Sequence, residues 1–334
     1  MPDDFAPIKL GKDDGTDMSI KGKYSELLKA YGTIMASVVI VIVFSILRPD
    51  TFFSLRNLIN VSRQISLLVI VALGATFVVV VNEFDLSVGA MVSLGGIVAT
   101  QLAVAGTPLI VCVLAPVFCC AIVGLINGWI VTKFNVLSFI TTLAMGTILS
   151  GFTYWLAKGS TIFEGIPAAF KILGTVSIFG IPALSVIMII LTVFFWFVMR
   201  HTTFGRKLYA IGGNVVASQV AGIKVRKYKT LAFALCGALC GFAGMLLASR
   251  LGSAHPTGGD GYNLRSYAAV FLGRTMFREG TPNIWGTFIG AAILGILANG
   301  LTILQVPTFI QNILTGVIII LAVVVQKIGH GDDK

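Results

Sequence analysis

The chain has 334 residues, 56% of them hydrophobic and only 11% charged, with a mean hydropathy of +0.94. Globular domains carry about 25% charged residues, so this composition excludes a soluble protein. The formal net charge of +10, with no basic patch interleaved with aromatics, reads as charge gathered on one membrane face and not as nucleic-acid binding.

Residues 1–30 hold five Lys and six Asp/Glu and no apolar core. They read as a cytoplasmic tail and not as a cleavable signal peptide. A bilayer core takes about 20 apolar residues. The first expected span is 31–47. Residues 51–62, where Arg56 stands among Phe52, Phe53, Leu55, Leu58 and Ile59, read as a separate interfacial helix. Spans follow at 64–81, stopping at Asn82-Glu83-Phe84-Asp85, and at 86–103. The fourth, 108–126, is expected to end at Asn127-Gly128, and the fifth is 137–156. Residues 158–179 form a polar loop before the sixth span, 181–199.

Residues 200–229 then carry seven Lys/Arg and no Asp or Glu. A short basic loop between two spans is retained in the cytoplasm. Its middle, 209–223, is nearly uncharged and patterned like a short helix entered through Gly212-Gly213-Asn214, suited to a groove on another protein. The seventh span is 230–247. Residues 252–265 read as a loop on the far side, 266–272 as a broken helix, and 284–304 and 308–326 as the last two spans, before a polar end at 328–334.

The expected fold is therefore an all-α polytopic membrane protein of about ten transmembrane helices, some broken, with both termini cytoplasmic. The permease body would be 31–327, split into halves at about 31–180 and 230–327 around the cytoplasmic loop. Six crossings from a cytoplasmic N-terminus return the basic loop to the cytoplasm, but leave Arg48, Arg56 and Arg63 outside. Val136, Phe139-Ile140 and Gly146 recur 170 residues later as Val306, Phe309-Ile310 and Gly316, behind Asn127-Gly128 and Asn299-Gly300. The offset is an odd number of spans, so the two repeats would be inverted, as in transporters. Close glycines (Gly124/Gly128, Gly237/Gly241 with Gly244, Gly286/Gly290) suit tight helix packing.

Charged groups inside a bilayer are costly and informative. Here they are Glu83 and Asp85, in NEFDLSVGA. Asp85 or Ser87 can cap the next helix. A helix broken at this point can also line a substrate path, so Asn82, Phe84, Asp85, Ser87, Asn127 and Asn299 are candidate path residues. Cys112, Cys119, Cys120, Cys236 and Cys240 lie in apolar runs without His or carboxylate partners and read as packing residues, with no metal site. No phosphate-binding loop occurs, since Gly22-Lys23 is followed by Tyr24 and lacks the upstream Gly. No hydrolase or zinc motif occurs either, and no cofactor is expected.

The segment FGRKLYAIGGNVVASQVAGIKVRKYK resembles the cytoplasmic loop of the ribose-type sugar permeases of bacterial ABC importers, as do DLSVG (85–89) and NGWIVTKFNVLSFITTLAMGTI (127–148). The likeness covers about 50–326. It departs at Asn82-Glu83-Phe84, where the family has Gly-Gly-Ile, and at Arg274 and Phe277-Arg278-Glu279, where the family has a second Gly and a Gly-rich turn. The resemblance implies a permease subunit of the inner membrane that carries ribose or a similar monosaccharide. It also implies a separate ATPase subunit with two nucleotide-binding domains, a periplasmic sugar-binding protein and a second permease copy, identical or related. In that family the loop docks on the ATPase, which points to Gly205, Arg206, Ala210, Gly212, Gly213, Asn214, Ala217, Ala221, Gly222 and Ile223. The alternative is an ion-coupled secondary transporter of a small polar solute, for which Glu83 and Asp85 are the only carboxylates at hand. A membrane enzyme has no motif behind it.

Overall fold

The computed structural model describes residues 38–274 and 280–329. The expected tail at 1–30, the start of the first span, the Phe277-Arg278-Glu279 turn and the extreme C-terminus lie outside the described residues. Among the described residues the regular structure is α-helical apart from one two-stranded hairpin: α1 (Val38–Leu47), α2 (Pro49–Phe52), α3 (Leu55–Val80), α4 (Val88–Val104), α5 (Leu109–Phe134), α6 (Ser138–Leu156), α7 (Ala168–Thr175), β1 (Ser177–Ile178), β2 (Ile181–Pro182), α8 (Ala183–His201), α9 (Thr203–Gly213), α10 (Val215–Val220), α11 (Val225–Leu251), α12 (Asp260–Arg274), α13 (Ile284–Ile303) and α14 (Thr308–Gly329). Among the described residues six helices are long and apolar enough to cross a bilayer: α3, α5, α6, α8, α11 and α13.

Helix α11 is the axis of the molecule, packed against α5, α4, α3 and α7. Its approach to α5 and α4 depends on residues without side chains. A Cβ on Gly237 would strike the Cys120 carbonyl, one on Gly241 the Pro116 carbonyl, and one on Gly244 the Val92 carbonyl. Helix backbones in a bilayer gain dispersion energy by such close contact, because lipid offers no hydrophobic drive for association. From Ile65 to Val80 helix α3 is buried on every side and almost wholly apolar, as a helix segment at the centre of a bundle must be. Helices α5 and α6 instead turn Ile110, Phe118, Phe139, Ile140, Phe152 and Trp155 outward. An apolar surface of this extent suits a helix face turned toward hydrocarbon.

Several boundaries differ from those expected. Residues 51–52 end the short α2, while residues 55–62 of the expected interfacial helix and the span at 64–81 are one helix, α3. Its start is set by Ser54, whose hydroxyl accepts from the Asn57 N–H at 3.2 Å. Arg63 interrupts the hydrophobic pattern without ending the helix: its guanidinium donates to the Thr175 carbonyl at 3.2 Å and to Ser177 Oγ at 3.4 Å, which gives it a site at that end of the bundle. Helix α5 runs through Asn127-Gly128 to Phe134, because the Asn127 amide donates to Ser87 Oγ at the start of α4 and Gly128 lets Thr230 approach. The loop at 158–179 contains α7 and the hairpin, whose Phe179-Gly180 turn has φ of +50° and +81°, the geometry of a type I′ turn.

The far-side loop stops at Gly259, not at Arg265. Gly259 sits against the Gly89 carbonyl and donates its N–H to Ser93 Oγ at 2.9 Å. So α12 begins at the level of the first turns of α4 and absorbs the expected broken helix 266–272. It reaches only from there to the end of the bundle that carries α9.

Candidate functional site

Helix α9 is fastened to the body by Leu208 and Ile211, both fully buried. Burying such side chains contributes about 1.5–3 kcal/mol each. Thr202 caps α9 by accepting from the Gly205 N–H at 3.3 Å, and Asn214 caps α10 by accepting from the Ala217 N–H at 2.9 Å. Gly205 is buried against the Met199 carbonyl and Gly212, half-buried, lies against the Val80 carbonyl, each too close for a Cβ. Tyr209 donates its hydroxyl hydrogen to the Pro282 carbonyl at 3.0 Å, and Lys207 Nζ donates to the Tyr228 hydroxyl at 2.9 Å. The pair α9–α10 is thus held on the end of α3, α8, α11 and α13 as a fixed ledge.

The candidate loop residues divide accordingly. Gly205 and Gly212 are packing positions. Ile223 is half-buried against the core. Arg206, Ala210, Gly213, Asn214, Ala217, Ala221 and Gly222 face outward, and Gly222 turns the chain at φ +76°. The same outward face carries Val216 and Val220, 69% and 86% exposed, which the sequence reading did not single out. Positions 216/220 and 217/221 are i, i+4 neighbours, so one short helix presents a small apolar face.

The break between α3 and α4 lies directly beneath this ledge. Asn82 has φ +58°, and its amide donates to the Gly212 carbonyl. Glu83 forms an ion pair with Lys229 at the start of α11. Asp85 and Ser87 are fully buried. Asp85 Oδ1 accepts from the Ser87 N–H at 3.0 Å and from the Ser87 hydroxyl, and Asn127 Nδ2 donates to Ser87 Oγ at 3.0 Å. Around them Tyr267 OH accepts from the Asp85 N–H at 2.6 Å, Thr142 Oγ1 accepts from the Leu86 N–H at 2.8 Å, and Ser138 Oγ accepts from the Phe84 N–H at 3.2 Å. Asn263 Nδ2 donates to the Leu86 carbonyl at 3.0 Å. The freed backbone of the break is therefore satisfied by side chains of α6 and α12, as backbone at membrane depth requires. Asp85 Oδ2 and Asn127 Oδ1 have no hydrogen-bond partner and are also buried.

Of the candidate path residues, Asp85, Ser87 and Asn127 come together and Phe84 and Asn82 stand beside them. Phe84 is 39% exposed and packs its ring on Tyr267 and Phe271 at 5.6 and 6.1 Å. Asn299 is elsewhere. It is buried at the opposite end, where it and Asn57 exchange amide hydrogen bonds of 2.9 and 3.1 Å. Tyr267, Thr142, Ser138 and Asn263 complete the break and were missed, because neutral side chains at irregular spacing leave no signal in a sequence; the sequence shows Lys229 only as one charge of the basic loop.

Asp85→Leu is expected to lower stability by about 1–3 kcal/mol, because it leaves buried donors of Ser87 unpaired; Asp85→Asn, which keeps an acceptor, is expected to lose less than half as much. Thermal melting of the purified chain in detergent checks both. Asn299→Leu is expected to cost about 1–3 kcal/mol by orphaning Asn57, and the double change Asn57→Leu/Asn299→Leu to recover most of it. A double-mutant cycle on melting measures that recovery.

A cleft of about 630 Å³ opens between the ledge and the body, lined among others by Asn82, Tyr209, Gly212, Trp196, Trp285 and Arg274.

Comparison with known proteins agrees with this architecture. The family model described as branched-chain amino acid transport system, permease component, matches residues 57–323. The chain is 39% identical over 298 residues to the ribose import permease protein of Escherichia coli, covering 88% of this chain and 92% of that one. It is 36% identical over 305 residues to the ribose import permease protein of Bacillus subtilis, covering 91% and 94%. To the D-allose transport system permease protein of Escherichia coli it is 32% identical over 299 residues, covering 89% and 91%. No solved structure matches the chain. With outward apolar helices, a helix broken beneath a cytoplasmic-type basic loop, and these relatives along nearly its full length, the chain belongs to the transport-system permease components and, within them, to the ribose-type sugar permeases.

Proposed function

We propose that the chain is the membrane-spanning subunit of a bacterial inner-membrane importer that carries a monosaccharide, ribose or a close relative, inward with ATP hydrolysed by a separate subunit. Its relatives are named for ribose, D-allose and xylose. The observation that carries the reading is the α9–α10 ledge: an acid-free segment, rigidly capped, that holds Val216 and Val220 out on an apolar face. Such a face, isolated at the end of a bundle, fits a groove on a partner. The partner proposed is an ATPase with two nucleotide-binding domains. Gly205 and Gly212 transmit its movement to α8 and α3 by direct backbone contact, and Asn82 links the ledge to the broken helix.

A periplasmic sugar-binding protein would deliver the substrate, and a second permease copy would complete the path. Phe84 and Asn82 have open surface toward such a path, while Asp85, Ser87 and Asn127 fix the shape of the break from behind. About ten crossings with both termini cytoplasmic fit the run of helices. Support for two inverted halves comes from the α5–α6 and α13–α14 corners. Each corner has a left-handed non-glycine residue, Asn135 (φ +53°) and Gln305 (φ +57°), and 305 − 135 = 170 is the offset read from the sequence. The helices that follow start at Ser138 and Thr308, again 170 apart.

Uptake of radiolabelled ribose by cells expressing the complete system tests the reading. It is expected to survive collapse of the proton motive force and to fail on ATP depletion. The reverse pattern would favour the ion-coupled alternative, with Glu83 or Asp85 as the coupling carboxylate.

A further inference from the structure

The turn from α11 into α12 hangs inside the bilayer. Residues without side chains fix its depth: a Cβ on Gly244 of α11 would meet the Val92 carbonyl, and one on Gly259 would meet Val92 Cβ. The two glycines therefore share a level on α4. Arg250, the cation in the last turn of α11, lies about 9 Å beyond Gly244 at 1.5 Å per residue, and Lys229, near the other end of α11, about 22 Å the other way. Charges at the two ends thus bracket a hydrocarbon core of about 30 Å.

On the stretch that descends to this level, His255, Gly258 and Asp260 are exposed. Irregular backbone and a carboxylate do not stand open to lipid at membrane depth; they persist where they line a water-filled cavity or meet protein. The outward faces of α5 and α6 are of another kind, made of large apolar side chains with no Asp or Glu in either helix. Asp260, Leu264 and Phe271 fall on one face of α12, four and eleven residues apart along the helix. Leu264 is 64% exposed, and Phe271 packs on the open ring of Phe84 with centroids 6.1 Å apart. A continuous strip therefore runs from the α11–α12 turn down to the break.

The polar end of this strip has unused hydrogen-bonding capacity. His255 Nδ1 accepts from the Thr257 N–H at 3.1 Å, which leaves the ring hydrogen on Nε2, free to donate. The Asp260 carboxylate makes no hydrogen bond or ion pair among the described residues, and His255 is its electrostatic neighbour. We propose that the outer half of the solute path runs along this face of α12, with Asp260 accepting from neighbouring hydroxyls of the solute and His255 Nε2 donating to one of its oxygens. Two open carboxylate oxygens match adjacent hydroxyl groups and repel an anion, so the solute class is a neutral polyhydroxy compound. That class rests on the importer reading above; the course of the path does not.

Thiol labelling tests the path without the solute, in permeabilised cells that express the complete system with the five native cysteines of this chain replaced by alanine. His255→Cys and Leu264→Cys are expected to react with a charged methanethiosulfonate at least about ten-fold faster than Phe118→Cys on the outward face of α5, because a thiolate forms only in water. Ribose is expected to slow the reaction at Leu264→Cys about three-fold or more; adding Asp260→Ala is expected to remove that protection and to cut ribose uptake about ten-fold, and Asp260→Asn, whose amide oxygen still accepts, to cut it less. Labelling of Leu264→Cys without ribose, unchanged by Asp260→Ala, reports that the variant is folded. Reaction at 255 and 264 as slow as at 118 would overturn the proposal, by placing this face against lipid or a second copy. Fast reaction with uptake and protection untouched by Asp260→Ala would overturn it by removing the carboxylate from the solute's contacts. Failure of the parent system to take up ribose is the separate failure of the importer reading, and the labelling rates judge the path regardless.

Discussion

Val216→Asp combined with Val220→Asp is expected to abolish sugar uptake and to weaken association with the ATPase at least about 100-fold, while melting of the isolated chain stays within about 0.5 kcal/mol of the parent. The two valines are 69% and 86% exposed and lie on one face of α10, so the single chain gains nothing from them. In a complex, covering both would contribute about 3–6 kcal/mol, and a carboxylate in their place would be buried without a partner. Pull-down of the ATPase and the melting curve must be read together. Loss of both would mean that the ledge had unfolded, and retention of both would remove α10 from the interface. Substitutions at Gly205 or Gly212 do not offer this separation, since a side chain there would meet the Met199 or Val80 carbonyl and disturb the body itself.

Gly237→Val is expected to be strongly damaging to the body, costing about 3 kcal/mol or more. A Cβ at this position would overlap the Cys120 carbonyl of α5, where no flexible side chain can give way. Separating α11 from α5 also removes contacts along Gly241 and Gly124, because the two helices meet on one continuous seam. Gly151→Ala on α6 is the matched control. Nothing lies within 4 Å of its added carbon, so the change is expected to be neutral or to stabilise by about 0.5–1 kcal/mol through reduced backbone entropy. Size-exclusion profiles and thermal melting in detergent distinguish the two outcomes.

The apolar runs that became α6, α8, α11, α13 and α14 were legible because a bilayer imposes a length and a composition that few other folds share. Glycine spacing likewise indicated close helix packing, though not which helices meet; the structure uses it where α5 meets α11 and α12 meets α13. Punctuation was less legible. Asn127-Gly128 resembles a turn in water, yet in a bundle the same pair offers a hydrogen bond to Ser87 and room for Thr230. Arg56 and Arg63 lowered the hydropathy of a segment that is nevertheless continuous helix, capped at Ser54. The run GSAHPTGGDGY looked like loop throughout, although Gly259 is placed by contact with Gly89, and the helix starts one residue later. At the candidate site, Asp85 stood out by its charge and Asn214 by its place before a helix. Tyr267 and Thr142, which satisfy the backbone of the break, could be found only from the packing of α12 and α6.

The orientation of the ledge decides the account. A single cysteine introduced as Val220→Cys, in a chain whose five native cysteines are replaced by alanine, can be treated with a membrane-impermeant maleimide in whole cells and in inverted vesicles. Labelling in inverted vesicles alone is the predicted result, because α10 then meets ATP-hydrolysing machinery in the cytoplasm. Labelling in whole cells would put α10 on the outer face and contradict a docking role for it.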